Sequence, residues 1–405
     1  MSRTLLWLLA AVQFTLLLDF MLLMPLGPQL LRSLDISAAH FGWAVSAYTL
    51  ASALAGLCGF FWIDRWPRRQ ALLLLYAAFV GATLACGLVS TLSGLVAARV
   101  IAGASAGLLW SVILALIVDA VPEQQRGSAM GLVMTSYSLS AVAGVPLGLL
   151  LAGAWGFRAP FWLLASVALG LWFALERLVP RASSRSPANL GGRHAFAGFE
   201  TAWLLGWLLS FVVVFAGFLL IPYLGTFLVN NLGVSTGALG WVYLCGGAAT
   251  FGSLRLVGWL VDRCGPSWVL CGLLLLAAVS HWSFTHLRDV SLPVATGAFV
   301  LFMIFTSGRV IPTMLLVSAR VPAHARGRFL AVNTAATDAA SGLATWLSGA
   351  LLGTAPGGAL LGFGRVGALA VLAAMLALLV LWRIAQRPAS PPAELESADS
   401  LERAG

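Results

Sequence analysis

Long apolar stretches, each about 20 residues or more, alternate along the chain with short clusters of Arg, Asp, Pro and Gly. A helix of about 20 residues crosses the ~30 Å hydrocarbon core of a bilayer. Placing breaks at the charged and Pro/Gly clusters gives twelve candidate spans. In the first half they run over 5–31, 41–63, 70–90, 93–121, 128–153 and 159–178. In the second they run over 200–230, 237–261, 267–286, 292–319, 328–353 and 366–384. The stretches are continuously apolar and do not alternate with period two, which argues against a membrane β-barrel. The first is too long for a signal-peptide core and carries no small-residue cleavage site, so it is expected to stay as a helix.

Composition sharpens this picture. Hydrophobic residues make up 60% of the 405 and charged residues only 9%, against about a quarter charged in soluble domains. The expected fold is therefore all-α and integral to the membrane, with both halves helical. A net charge of +9 could suggest nucleic acid, but all 23 basic residues are Arg and most sit in short loops between apolar stretches. Orientation in the bilayer accounts for them, and no nucleic-acid partner is expected. With the N-terminus inside, sixteen arginines fall on the cytoplasmic side and four (Arg32, Arg158, Arg288, Arg365) on the outer side. That bias, and an even number of spans, places both termini in the cytoplasm. The five cysteines show no metal-site spacing and read as buried free thiols.

An internal repeat organises the whole chain. Leu34-Asp35-Ile36-Ser37 with Gly42-Trp43 recurs as Leu232-Gly233-Val234-Ser235 with Gly240-Trp241, an offset of 198. Asp64-Arg65 recurs as Asp262-Arg263 at the same offset, and Val121-Pro122 with Arg126-Gly127 recurs as Val321-Pro322 with Arg326-Gly327 at 200. Six spans separate the copies, so the halves are two six-helix bundles of the same orientation. The expected boundaries are an N-terminal bundle over 1–179, a basic, Ser/Pro/Gly-rich cytoplasmic linker over 180–198, a C-terminal bundle over 199–387 and a disordered tail over 388–405. A parallel repeat of this kind places a binding site near the midplane, between halves that open alternately to either side.

The loop between the second and third spans reads Phe60-Phe61-Trp62-Ile63-Asp64-Arg65-Trp66-Pro67-Arg68-Arg69, and its second copy reads Gly258-x-x-x-Asp262-Arg263-x-Gly265. These resemble the Gly-x-x-x-Asp-Arg-x-Gly-Arg-Arg signature of the major facilitator superfamily, although Phe60 and Pro67 replace both glycines in the first copy. The resemblance implies a cytoplasmic charge latch of Asp64, Arg65, Arg68, Arg69, Asp262 and Arg263, with Asp119 as an added partner; ordinary positive-inside anchoring is the alternative. Leu95-x-x-x-Arg99-x-x-Ala102-Gly103 is similar to the family's proton-linked motif, with Ala102 where Gln is usual. Gly144-Val145-Pro146-Leu147-Gly148 resembles the antiporter motif, in which Gly144, Pro146 and Gly148 allow close helix packing and a bend. Asp19, followed by Pro28, resembles another exporter pattern. Together these point to the twelve-span proton-antiporter branch, similar to drug and sugar exporters.

Charges inside a membrane are costly, at least ~2.5–3.5 kcal/mol at the centre, and mark function by default. Asp19, Arg99, Arg255, Arg309 and Asp338 lie well within spans, on the first, fourth, eighth, tenth and eleventh. The third, sixth, ninth and twelfth carry none between their ends, which agrees with the lipid-facing role those helices have in the family. Asp19 has no acidic counterpart in the second half, where the repeat offset puts Gly217. Apolar surroundings favour the protonated carboxyl, so Asp19 is the expected proton-coupling residue and Asp338 the second candidate. The alternative for Asp19 is a permanent ion pair with Arg99. Arg309 and Asp338 are expected either to pair with each other or to leave Arg309 for an anionic substrate group.

The expected substrate cavity includes Asp19, Arg99, Arg309, Asp338, Tyr137 and Asn333, with Tyr48, Gln13 and Thr337 as further polar liners. His281 reads as a lone packing residue. Met130 with Met134, and Met21 with Met24, could hold a soft metal but read first as packing, so no metal site is expected. The chain is thus read as a monomeric, multi-pass transporter of the bacterial inner membrane, with no cofactor beyond the proton gradient. It is expected to export a small organic solute in exchange for protons by alternating access. Import or uniport on the same fold is the alternative. A membrane enzyme would need clustered His/Asp or Ser/His groups, and a receptor would need a signalling domain; the sequence offers neither.

Overall fold

The computed structural model describes residues 3–59, 66–179, 201–322 and 325–386. The expected linker, the tail, and Asp64 and Arg65 of the expected latch lie outside the described residues. The first half comprises α1 (Arg3–Leu22), α2 (Gly27–Ser33), α3 (Ala38–Gly59), α4 (Arg68–Leu88), α5 (Leu92–Ala120), α6 (Glu123–Leu139), α7 (Val145–Trp155) and α8 (Ala159–Leu178). The second comprises α9 (Thr201–Phe218), α10 (Leu224–Asn230), α11 (Thr236–Cys264), α12 (Pro266–Thr285), α13 (Leu292–Gly308), α14 (Val310–Ser318), α15 (Arg326–Leu351) and α16 (Phe363–Ala385). A two-stranded antiparallel hairpin, β1 (Gly353–Thr354) with β2 (Leu360–Leu361), joins the last two helices.

Four of the expected spans are interrupted helices, and each break sits beside a proline. Between α1 and α2 the chain turns over 23–26, with Pro25 in the turn and Pro28 in the first turn of α2, where its missing N–H is no loss. The corresponding break between α9 and α10 is a short 3₁₀ turn, Ile221–Tyr223, around Pro222. A π-helical turn over Ser140–Gly144 joins α6 to α7 just before Pro146, whose ring crowds the carbonyl four residues back and widens the ladder. The span of α13 and α14 is bent at Arg309, three residues before Pro312.

Among the described residues eleven helical segments are long and apolar enough to cross a membrane. The expected span outside these eleven is that over 328–353, which forms α15; it is 26 residues long and reaches about 39 Å at 1.5 Å per residue. Its Asn333, Thr334, Thr337, Asp338, Ser341, Thr345 and Ser348 lower its hydropathy below that of the others.

The halves meet along three seams whose members match across the repeat. At the pseudo-twofold axis, Gly27 packs against Thr226 while its counterpart Gly225 packs against Pro25. In one flanking seam, Gly42 of α3 lies against Thr345 and Gly349 of α15; in the other, Gly240 of α11 lies against Pro146 and Leu150 of α7. A Cβ at Gly225 would lie 3.1 Å from the Pro25 Cα, and one at Gly42 would lie 3.1 Å from the Thr345 carbonyl, so larger side chains there press backbone against backbone.

All three seams favour one end of the molecule, here termed the hairpin end because β1 and β2 lie there. One apolar core at this end draws residues from both halves, including Leu22, Phe41, Val145, Leu220, Tyr223, Leu239 and Phe299. Toward the opposite, terminal end the cores separate. Leu9, Leu72, Tyr76, Leu109 and Val133 form a core of the first half alone, whereas Leu209, Leu270, Val317 and Leu381 form one of the second half alone. The molecule is closed at the hairpin end by shared burial, and its halves are packed independently at the terminal end.

Candidate functional site

The charged groups of the first half converge inside the bundle. Asp19 on α1 is fully buried and accepts a 2.6 Å hydrogen bond from Nη1 of Arg99 on α5, which is fully buried as well. The hydroxyl of Thr83 on α4 donates to the other carboxylate oxygen at 3.3 Å. The Arg99 guanidinium carbon stands 4.3 Å over the ring of Tyr48 on α3, a cation–π contact. Tyr48 is held from two sides: its hydroxyl donates to the Leu16 carbonyl and its ring stacks on Phe20. The pair is buried with Arg99 Nε and Nη2 left without hydrogen-bond partners, so the short Nη1 contact and the Tyr48 face carry its compensation. The arrangement is the Asp19–Arg99 pair that the sequence left as one of two alternatives.

Asp338 does not pair with Arg309. Its carboxylate accepts a 2.6 Å hydrogen bond from Ser52 of α3, so it bridges the two halves along the α3–α15 seam. Ser52 is one helical turn from Tyr48 on α3, and Tyr48 lies under the Arg99 guanidinium that pairs with Asp19. One face of α3 therefore connects the carboxylate of the second half to the ion pair of the first. Arg309 instead turns into its own bundle. Its Nε donates to the Thr306 carbonyl at 3.2 Å, and Thr306 in turn hydrogen-bonds His281 of α12 at 3.1 Å. Depth along a helix put Arg309 and Asp338 at similar heights, but they leave their helices in different directions.

The other sequence candidates scatter. Tyr137 is 43% exposed on the last turn of α6, before the π turn. Asn333 and Gln13 each carry a buried side-chain oxygen without a hydrogen-bond partner, and Thr337 bonds back to the Thr334 carbonyl. Arg255 is exposed with its guanidinium 5.2 Å over Phe251. Met24 is buried in the shared core with Met21 against it, and Met130 packs on the first half's own core while Met134 is exposed. Among the described residues no group of three His, Cys, Asp or Glu side chains is placed to hold a metal ion.

For the expected latch, the side chain of Asp119 lies outside the described residues, as do Asp64 and Arg65. Arg69 donates to the carbonyls of Glu176 and Val179 and lies 3.6 Å from the Glu176 carboxylate, so it caps the last turn of α8 within its own half. Arg68 is buried, whereas Asp262 and Arg263 are exposed and Arg263 stands 4.3 Å over Trp259. Gly144, the last residue of the π turn, faces Leu18, and Gly148 of α7 faces Leu22, both within one turn of Asp19 on α1.

A gate at the hairpin end was not foreseen. Tyr223 is fully buried, and its hydroxyl reaches the Ala38 carbonyl of α3 at 3.2 Å and the Thr345 carbonyl of α15 at 3.4 Å. The backbone N–H of Ala38, free at the start of α3, donates to the hydroxyl of Thr354 in the hairpin. Asn230 and Asn231, at the end of α10, bond the hairpin backbone at Gly358 and Leu360. The hydrogen bonds between halves among the described residues thus lie at the hairpin end or at the depth of Asp338.

Comparison with known proteins agrees with the repeat. The sequence profile of the Major Facilitator Superfamily matches residues 9–207 and again residues 206–402, one match per half. An uncharacterized MFS-type transporter, YceJ of Bacillus subtilis, is 27% identical over 350 residues, covering 85% of this chain and 88% of YceJ. A chloramphenicol efflux pump of Mycobacterium tuberculosis is 28% identical over 251 residues, 61% of this chain and 60% of the pump. A chloramphenicol resistance protein of Streptomyces lividans is 29% identical over 280 residues, 68% of this chain and 71% of that protein. Among solved structures, a bacterial homologue of the lysosomal transporter Spinster, inward-facing and occupied, superposes with a TM-score of 0.76 at 17% identity, over 95% of this chain and 98% of the other. A D-xylose–proton symporter gives 0.74 at 18% identity, over 93% and 97%. The chain belongs to the Major Facilitator Superfamily and is a multi-pass membrane transporter of small molecules, not an enzyme.

Proposed function

We propose that this major facilitator exports a small organic solute in exchange for protons, with Asp338 and Asp19 as the proton-coupling carboxylates. The observation that carries the reading is the Ser52–Asp338 hydrogen bond, which ties an ionisable group of one half to the other at the depth where the shared core ends. A carboxylate accepts a stronger bond from a hydroxyl than its protonated form does. Proton gain at Asp338 therefore weakens the tie between α3 and α15, and proton loss restores it. Asp19, held by Arg99 and one turn of α3 away through Tyr48, senses the same change through Tyr48 and Ser52. Arg99, Arg309, Tyr137 and Asn333 are assigned to the solute cavity with the two carboxylates.

The arginine bias of the loops places the termini in the cytoplasm and the hairpin end outside. Closure at the hairpin end then corresponds to an inward-facing transporter of the inner membrane, open to solute from the cytoplasm. Export is supported by the relatives named for chloramphenicol efflux and resistance, and chloramphenicol is accordingly the first solute to test. The latch of Asp64, Arg65, Arg68, Arg69, Asp119, Asp262 and Arg263 is assigned to closing the cytoplasmic side in the opposite state.

The test is solute-driven proton movement in proteoliposomes, together with solute binding to purified protein, for wild type, Asp338→Asn and Asp19→Asn. Wild type is expected to exchange protons for chloramphenicol or another solute of a chemically varied panel. Asp338→Asn should bind that solute within about threefold of wild type and exchange no protons. Normal coupling in both asparagine variants would remove these carboxylates from the mechanism. Proton and solute moving in the same direction would make the protein an importer.

A further inference from the structure

Two counterparts at the repeat offset of 198 meet between the halves. Phe20 of α1 and Phe218 of α9 stack on each other with ring centroids 6.0 Å apart and planes inclined by 24°. From each ring the same helical face continues toward the terminal end. On α1 it carries Leu17 and Gln13, and on α9 their counterparts Phe215 and Phe211, three and seven residues before the ring. The other side of each helix is committed to its own half: Leu9, Val12 and Leu16 to the first core, and Leu209, Val212 and Ala216 to the second.

The six residues of the facing stripes are only half-buried. Phe20 touches the shared core and the core of the first half, and Phe215 touches the shared core and the core of the second. The stripes therefore begin where the halves part. Beyond the Phe20–Phe218 stack, α1 and α9 form no packed seam of the kind that joins α3 to α15 or α11 to α7.

The two walls differ in chemistry. In the second half, Phe211 and Phe215 stack at 5.9 Å and make a continuous aromatic surface. In the first, the stripe ends in the amide of Gln13, whose oxygen has no hydrogen-bond partner. Gln13 lies seven residues from Phe20, about 10 Å along the helix. Tyr48 backs the Phe20 ring at 5.4 Å and holds it in place before any solute arrives. Rings gain from contact with other rings beyond what their buried area gives, which saturated carbon does not.

We propose that Phe20, Phe218, Phe215 and Phe211 form a subsite for the aromatic ring of the transported solute. Gln13 hydrogen-bonds a polar group that the solute carries about two helical turns nearer the terminal end. The inference rests on the terminal-end opening being the solute path, and it names the class of solute: an aryl compound with a hydrogen-bonding group on a short chain. It holds whichever carboxylate carries the proton and whichever way solute moves.

The experiment measures equilibrium binding to full-length purified protein in detergent, by titration calorimetry. The probes are matched pairs in which cyclohexyl replaces an aryl ring: chloramphenicol with its ring-saturated analogue, and phenyl and cyclohexyl forms of a simple amide, an amine and a carboxylate. Wild type is expected to bind the aryl member of at least one pair about threefold to tenfold more tightly than its saturated partner. Phe211→Leu and Phe215→Leu, which leave the Phe20–Phe218 stack in place, should bring that ratio to within about twofold of unity. Phe215→Tyr should keep it. General loosening of the protein would weaken both members of a pair alike, so the ratio reports ring recognition and not stability. Gln13→Leu should weaken binding of the preferred aryl compound about threefold or more and leave the ratio unchanged; an unchanged affinity would overturn the role of Gln13. Should Phe215→Leu fail to fold, Phe211→Leu decides the matter. The proposal is overturned if no aryl compound binds wild type, if aryl and cyclohexyl members bind alike, or if the leucine variants keep the wild-type ratio. Proton exchange in proteoliposomes is a separate reading: exchange without aryl preference overturns this inference alone, and aryl preference without exchange overturns the antiport reading alone.

Discussion

Arg99 is the side chain on which the first half's interior most depends. It neutralises Asp19, covers the face of Tyr48 and leaves Thr83 as the only other partner of the carboxylate. Removing one member of a buried pair strands the other charge, at about 3–5 kcal/mol. Arg99→Gln is therefore expected to lower unfolding stability in micelles by that order, and Asp19→Asn by less, because an amide can still accept from Arg99. The double variant Asp19→Asn/Arg99→Gln should recover a large part of the Arg99→Gln loss, since no charge is left behind. Chemical denaturation of the three proteins measures this directly. Additive losses in the double variant would show that Arg99 acts through packing on Tyr48 and not through Asp19.

At the scale of helices, small residues decide how closely spans approach. Gly144 of the π turn and Gly148 of α7 receive Leu18 and Leu22 of α1, with an added Cβ at Gly144 only 2.7 Å from Leu18. Gly153, on the same helix, has nothing within 4 Å of an added Cβ. Gly148→Val should cost about 1–3 kcal/mol by overpacking, whereas Gly153→Ala should be neutral or stabilise by up to about 1 kcal/mol through helix propensity. Thermal unfolding of the pair separates the two cases, and equal losses would show that α7 does not bear on α1 through its glycines.

The same scale explains what the sequence could tell. The rough ends of eleven of the twelve expected spans are legible because a bilayer imposes length and hydropathy on a span, and the offset between halves survives in loop residues that set turns. Which intramembrane charges meet was only half legible. Asp19 with Arg99 and Arg309 with Asp338 both read as possible pairs, the second from depth alone, and rotation about the helix axis sends Arg309 and Asp338 to different neighbours. Thr83 and His281 were readable in principle, since each is the other's counterpart at 198. Thr83 drew no attention because its helix carries no charge between its ends, and His281 read as a lone packing residue. The hairpin, and Tyr223 reaching between α3 and α15, had no signal in hydropathy, because both depend on contacts between distant segments.

For the molecule as a whole, the question is what keeps the hairpin end shut. Shared apolar burial does most of it, since one core there draws on both halves. Three hydrogen bonds set its register: Tyr223 to Ala38, Ala38 to Thr354, and Ser52 to Asp338. Each is worth roughly 0.5–1.5 kcal/mol, so losing one shifts the balance between the two openings by up to about tenfold. Tyr223→Phe keeps the ring in its packed place and deletes only the hydroxyl. It is expected to raise the fraction of molecules open at the hairpin end by roughly threefold to tenfold, with little change in unfolding stability. A cysteine placed at Ala38, fully buried in this state, in a background without native thiols would report that fraction by its rate of reaction with a membrane-impermeant maleimide. The converse device is a bridge: Ala38→Cys with Thr354→Cys, joined by oxidation or a short bis-thiosulfonate, should abolish transport, preserve solute binding from the terminal end and regain transport on reduction. Undiminished transport in the bridged protein would mean that the halves do not part here, and that alternating access does not open the seam between α3 and the hairpin.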